Sequence, residues 1–144
     1  MQISSTDFET KSPEELIQWT IDQYGLKAGL ACSFGMEDMI LIDMIAKLKG
    51  PITIFTLDTG RLHEETYEIM EKVRSHYGLE IKTYFPNLEQ VEKLVQKKGF
   101  FSFRESIENR KECCAIRKIE PLNRALGELD AWVTGLRSDQ SITR

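Results

Sequence analysis

Long apolar runs are missing from this chain of 144 residues: none approaches the roughly 18 residues that a membrane-spanning helix needs. The opening Met-Gln-Ile-Ser-Ser-Thr-Asp carries neither the basic flank nor the apolar stretch of a secretory leader, so no membrane is expected as a partner. Cysteine is scarce and odd in number, three residues with two of them adjacent. That count excludes a complete disulfide framework and suits metal or redox chemistry, with a cytoplasmic location and reduced thiols as the expectation. The 9 glycines and 4 prolines show no period, which removes collagen-like and repeat architectures. Positive charge is also short. With 19 basic against 23 acidic side chains and a net charge of -4, no nucleic-acid partner is expected.

What remains is an ordinary globular composition, 41% apolar and 29% charged, enough for one core. The cations sit late: residues 1–96 hold 9 basic and 16 acidic side chains, residues 97–144 hold 10 and 7. A local basic segment in an acidic protein suits a small anionic ligand. No linker, repeat or low-complexity tract divides residues 1–144, which read as a single domain.

The pattern along the chain is a helix followed by repeated strand-helix units. Ser12-Pro13-Glu14-Glu15 is a capping box opening a helix that Gly25 ends. Gly29 to Phe34 reads as a strand and Met36 to Lys49 as a helix. Ile52 to Leu57 is a buried strand, followed by a helix from about His63 to Tyr77. Leu79 to Phe85 is a third strand, and Asn87 with Gln90 opens a helix through Lys97. Phe100 to Lys111 reads as a loop with a short helix. Cys113 to Leu126 is helical, interrupted or restarted at Pro121, and Ala131 to Thr134 is the last strand. Such alternation predicts an α/β fold with a doubly wound, mostly parallel sheet and a ligand at the carboxyl ends of its strands.

Four segments fall at such ends or in the basic region. Ser33-Phe34-Gly35-Met36-Glu37-Asp38 joins a strand to a helix N-terminus, a position suited to phosphate, although it is neither a P-loop nor a dinucleotide fingerprint. A plain turn whose acids complement the helix dipole is the alternative. Leu57-Asp58-Thr59-Gly60-Arg61 offers groups for a ribose or base edge, with Arg61 for an anion, or simply an N-cap at Asp58 or Thr59. In Arg110-Lys111-Glu112-Cys113-Cys114-Ala115-Ile116-Arg117-Lys118 the adjacent thiols point about 100° apart on a helix. They face one object only if it is larger than an ion or lies at the helix end; a pair of half-buried thiols is the alternative. Cys32 reads as a small core residue. Thr134 to Arg144 supplies guanidinium, hydroxyl and amide donors fit to clamp phosphate or sulfate oxygens, or forms a solvated tail.

In this order, Ser33-Phe-Gly-Met-Glu-Asp38, Leu57-Asp-Thr-Gly-Arg61, Lys111-Glu-Cys-Cys-Ala-Ile-Arg-Lys118 and Thr134-Gly-Leu-Arg-Ser-Asp-Gln-Ser-Ile-Thr-Arg144 resemble the assimilatory adenylylsulfate and phosphoadenylylsulfate reductases. The resemblance implies an adenine-nucleotide α-hydrolase-like fold of the PP-loop type. It also implies reduction of adenylyl sulfate, or its 3′-phosphorylated form, to sulfite and AMP or 3′-phospho-AMP, in sulfate assimilation and cysteine biosynthesis. A thioredoxin-like dithiol would be the electron source. Ser33, Phe34, Gly35 and Asp38 then match the nucleotide loop, Leu57, Asp58, Thr59 and Gly60 the turn near the adenosine, with Gly135 beside the substrate. Lys118, Arg137 and Arg144 match catalytic cations around the phosphosulfate, and Cys113 and Cys114 mark the branch that ligates a [4Fe-4S] cluster.

The resemblance also sets a discrepancy. The family's nucleophilic cysteine, in a Glu-Cys-Gly tail, and two further cluster cysteines belong downstream of Arg144, so the chain is expected to be a fragment without that tail, unable to turn over alone. A homo-oligomer in which two chains pool four Cys113 and Cys114 thiols is one way to complete a cluster. The rival readings are an ATP pyrophosphatase or adenylyltransferase, against which Phe34 and Met36 narrow the loop, and a non-catalytic nucleotide-binding or electron-transfer module.

Overall fold

The computed structural model describes residues 5–137. After a short 3-10 turn at Ser5–Phe8, helix α1 spans Pro13–Tyr24 with the expected capping box: the Ser12 hydroxyl accepts from the Glu15 amide and the Glu15 carboxylate accepts from the Ser12 amide. The chain then runs β1 (Ala28–Ala31), α2 (Met36–Leu48), β2 (Thr53–Leu57), α3 (Glu64–Tyr77), β3 (Ile81–Tyr84) and α4 (Leu88–Lys98). A 3-10 turn at Ser102–Arg104 leads to α5 (Ile107–Cys114), a widened π-helical turn (Ala115–Ile119), α6 (Glu120–Gly127) and β4 (Ala131–Thr134). The interruption expected at Pro121 is this π turn, and Pro121 lies in the first turn of α6, although the backbone stays right-handed helical at Cys114, Ala115, Ile119 and Glu120. The π turn lies just ahead of this proline, whose missing amide cannot continue the ordinary ladder.

The four strands pair in parallel in the order β3-β2-β1-β4. The doubly wound reading therefore holds, with β1 and β4 flanking the point where the chain reverses its direction of travel across the sheet. One face carries Ala28, Leu30 and Ile54 against Ile17 of α1, Ile42 and Ile45 of α2 and Val73 of α3. Fully burying aliphatic side chains of this kind contributes about 1.5–3 kcal/mol each. The other face carries Phe55 and the bare Gly29, where a Cβ would collide with Leu129. That close approach, rather than any turn, is why glycine stands inside β1.

Strand β1 stops at Ala31, three residues before the expected Phe34. Phe34 takes a left-handed backbone (φ 62) although it has a bulky side chain, and it is buried. A left-handed residue cannot belong to a strand, and this conformation turns the chain into α2.

Candidate active site: two clefts at the strand ends

The first cleft, of about 410 Å3, opens at the switch point. It is lined by Ala31, Cys32 and Ser33 beyond β1, Gly35, Glu37 and Asp38 at the start of α2, Leu57 of β2, and Thr134 and Gly135 of β4. Gly35 is the N-cap of α2 and provides no side-chain cap, so the first-turn amides and the helix dipole are left for an anion. Ser33 plays a different part from that of a phosphate donor. Its amide (2.7 Å) and its hydroxyl (2.9 Å) both donate to Oδ2 of the buried Asp38, which ties the loop into a closed unit. Asp38 also accounts for Gly135, since a Cβ there would run into Asp38 Oδ1 and lie 3.2 Å from the Glu37 Cβ. Arg137, next after the cleft residue Leu136, pairs with Glu37 at 3.2 Å and so stands by the α2 N-terminus. Arg144 lies outside the described residues.

The turn after β2 divides this cleft from a second. Asp58 is buried, and its Oδ1 accepts from the Gly60 amide (2.8 Å) and from the Tyr67 hydroxyl (3.0 Å), an interaction that holds the Tyr67 phenol above its ordinary pKa. The Thr59 hydroxyl accepts from the Arg61 amide at 3.2 Å. Neither caps α3, because His63 is the N-cap residue. Gly60 is left-handed (φ 77), which glycine adopts without strain. Arg61 is placed by aromatics and a carbonyl. It lies 5.2 and 5.1 Å from the Phe101 and Phe103 ring centres and donates to the Phe100 carbonyl at 3.0 Å.

The second cleft, of about 290 Å3, is lined by Thr59, Arg61, Phe103, Arg110, Cys113, Cys114, Arg117 and Lys118. The two half-buried, unoxidised thiols therefore share one hollow. They do so by standing at the end of α5, where the helix widens, the second of the two geometries by which neighbouring helical cysteines can meet one object. Four cationic side chains and no carboxylate line the hollow. Among the described residues no group of three or more histidine, cysteine or acidic side chains is placed to hold a metal, so this region offers two thiols. Cys32 is not a third. It lines the other cleft, and burial pushes its thiol up to about 12.

Sequence reasoning passed over Arg117. Arg117 is only 9% exposed, and its guanidinium donates through Nη1 to the Thr59 carbonyl at 2.7 Å, which clamps the π turn onto the β2 turn. Trp132, Leu122 and Thr66 in the first cleft were missed as well, and only their approach in three dimensions marks them.

A parallel four-stranded sheet with a capless helix N-terminus at its switch point defines a doubly wound α/β domain. The model of the phosphoadenosine phosphosulfate reductase domain matches residues 27–144. Adenosine 5′-phosphosulfate reductases of Burkholderia cepacia (49% identity over 118 residues, 82% of this chain and 47% of the relative) and Pseudomonas aeruginosa (45% over 131 residues, 91% and 48%) are similar to it. So is the chloroplastic 5′-adenylylsulfate reductase 1 of Arabidopsis thaliana (44% over 133 residues, 92% and 28%). The crystal structure of the Candida auris phosphoadenylyl-sulfate reductase, a phosphate complex, superposes with a TM-score of 0.79 at 25% identity, covering 96% of this chain and 70% of that one. The chain belongs to the phosphoadenosine phosphosulfate reductase family. It spans about half the length of the bacterial relatives it matches.

Proposed function

We propose that residues 1–144 form the nucleotide-binding domain of a thiol-dependent reductase that converts adenylyl sulfate, or its 3′-phosphorylated form, to sulfite and the corresponding adenosine phosphate. The observation that carries this reading is the pairing of clefts: a helix N-terminus with bare amides on one side of the β2 turn, and a cation-lined hollow holding two thiols on the other. ATP pyrophosphatase chemistry has no use for the second hollow.

In the proposed reaction a thiolate attacks the sulfo sulfur. A sulfur–sulfur bond forms, the bond from sulfur to the bridging oxygen breaks, and its electron pair leaves on the adenosine phosphate. One thiolate of a thioredoxin-like dithiol then attacks the enzyme sulfur of that adduct, which expels sulfite with the electron pair and leaves a mixed disulfide; the second thiol of the dithiol attacks its partner's sulfur, forms the dithiol's own disulfide and releases the enzyme thiolate. Both stages bring anions together, so fixed cations and oriented amides lower the barrier. The amides of α2 meet the phosphate, Arg137 adds charge beside them, and Lys118 stands at the hollow by the thiols. We assign the attacking thiolate to none of the three cysteines present. Cys32 is buried and held protonated.

Cys113 and Cys114 fit a [4Fe-4S] cluster as half of its four thiolates, and the all-cationic lining suits an anionic thiolate-ligated group. Such a cluster would supply a fixed charge and a rigid tie between α5 and the other segments that ligate it. No helix among the described residues is long and apolar enough to cross a membrane, and the three free thiols fit the proposed cytoplasmic location.

The test is a chimera in which residues 27–144 replace the matching segment of the Burkholderia reductase. Sulfite release from adenylyl sulfate with a thioredoxin-like reductant is expected. A folded chimera that binds nucleotide and releases no sulfite contradicts the proposal.

A further inference from the structure

The turn after β2 keeps a buried carboxylate, that of Asp58, between two clefts suited to anions. No cation pairs with it among the described residues. Its charge opposes the ligands that either cleft would take, and its burial costs free energy unless donors compensate. The compensating donors are the Gly60 amide and the Tyr67 hydroxyl, both on Oδ1. The first closes the turn locally, as an aspartate commonly does toward the amide two residues on. The second comes from the first turn of α3, nine residues along the chain, and the turn does not need it in order to close.

The value of the Tyr67 bond lies in what the turn joins. Leu57 precedes Asp58, Leu62 and Thr66 follow Gly60, and all three line the first cleft. That wall is therefore built half from the end of β2 and half from the approach to α3. The strand half is fixed to the sheet, since the Asp58 amide donates to the Tyr84 carbonyl of β3 at 2.9 Å. Among the described residues, the Tyr67–Asp58 bond is the hydrogen bond that ties residues 57–61 to α3. Tyr67 itself does not line the cleft.

We infer that Tyr67 is a positioning residue: through Asp58 it holds the end of β2 against α3, fixes the width of the nucleotide cleft and so sets nucleotide affinity without touching the nucleotide. This inference rests on the reductase reading above, which gives the cleft its ligand. A wall fixed in advance loses little freedom when the ligand arrives, whereas an untied wall has to be ordered by the ligand at the expense of affinity. The loss falls equally on adenylyl sulfate and AMP, because they share the adenosine phosphate.

The experiment is titration calorimetry of the 144-residue chain with AMP and with adenylyl sulfate, well below the melting temperature, in the wild type, Tyr67→Phe, Asp58→Ala and the double variant. Tyr67→Phe keeps the ring and deletes the hydroxyl, and should weaken both nucleotides by about three- to tenfold, the worth of one hydrogen bond. In the Asp58→Ala background the same substitution should change nothing further, since the hydroxyl has lost its acceptor. Because Asp58→Ala can unfold the turn, a second measurement needs only the wild type and Tyr67→Phe: amide hydrogen exchange of the free chain over residues 58–62 should quicken in the variant, and AMP should restore protection. A lower melting temperature with unchanged nucleotide affinity and exchange would make Tyr67 merely structural and overturns the inference. Equal weakening in the wild-type and Asp58→Ala backgrounds overturns it too, by showing that the hydroxyl acts on the ligand directly. Failure of the wild type to bind either nucleotide overturns the reading of the cleft, and this inference with it.

Discussion

Ser33 gives both its amide and its hydroxyl to the same oxygen of the buried Asp38, at 2.7 and 2.9 Å. Asp38→Ala removes the carboxylate acceptor of both Ser33 hydrogen bonds, and a loss of about 1–3 kcal/mol in unfolding free energy is expected by urea denaturation. Asp38→Asn, whose carbonyl oxygen can still accept both bonds, should lose less. Equal loss in the two variants would mean that the charge, rather than the acceptor, holds the loop.

Gly135 owes its identity to the same carboxylate. Any Cβ there meets Asp38 Oδ1 and the Glu37 side chain, so Gly135→Ala should displace the α2 first turn. Nucleotide affinity, read by calorimetry, is expected to fall at least about tenfold, since small displacements of positioned groups are costly. Gly78→Ala provides the contrast. That glycine caps α3 with open space around it, so its substitution should lower the melting temperature through its left-handed backbone (φ 62) without touching nucleotide affinity.

Cys32 sets a pH dependence. Burial raises its thiol from 9.0 to about 12, so the folded state keeps a proton that the unfolded chain releases above its own pKa. Its contribution is therefore constant below pH 9 and declines as pH rises from there toward 12, at about 1.4 kcal/mol per pH unit. Urea denaturation between pH 8 and 10.5 should show a steeper alkaline loss in the wild type than in Cys32→Val. Parallel curves would remove Cys32 from the account. At pH 8, iodoacetamide should modify Cys113 and Cys114 in the folded chain and reach Cys32 only after denaturation.

The elements legible in the sequence were those with local signals. The Ser12 and Asn87 caps fixed the starts of α1 and α4, and alternation placed β4 at Ala131–Thr134. The early end of β1 was not legible, because it depends on Phe34 accepting a left-handed backbone and on Asp38 reaching back to Ser33. The short helix expected between Phe100 and Lys111 is α5, but its bounds were not legible: Ser106 caps it by accepting from the Asn109 amide, and it has little amphipathic pattern to mark its run on to Cys114. For the site, each motif was visible and their division into two clefts was not. Arg61 lines the cation-rich hollow while lying against two aromatic rings, and Arg117, passed over, is the more deeply buried of the two. Their placement follows from contacts 39 and 58 residues apart in sequence, which no local pattern encodes.

Two thiols in the hollow limit what the chain can assemble. Reconstituted with iron and sulfide, the purified 144-residue chain should hold well under one [4Fe-4S] cluster per monomer by iron and acid-labile sulfide analysis. Any cluster retained should accompany a dimer in light scattering, with four cysteines drawn from two chains. One full cluster in a monomer would contradict the assignment of ligands.

The central claim is that the switch-point cleft is built for an adenosine 5′-phosphosulfate rather than for a nucleoside triphosphate. The measurement closest to it is competition calorimetry of the wild-type chain with adenylyl sulfate, AMP and magnesium ATP. Binding in the order adenylyl sulfate, then AMP, with magnesium ATP weakest, is the result predicted; preference for magnesium ATP would contradict the account.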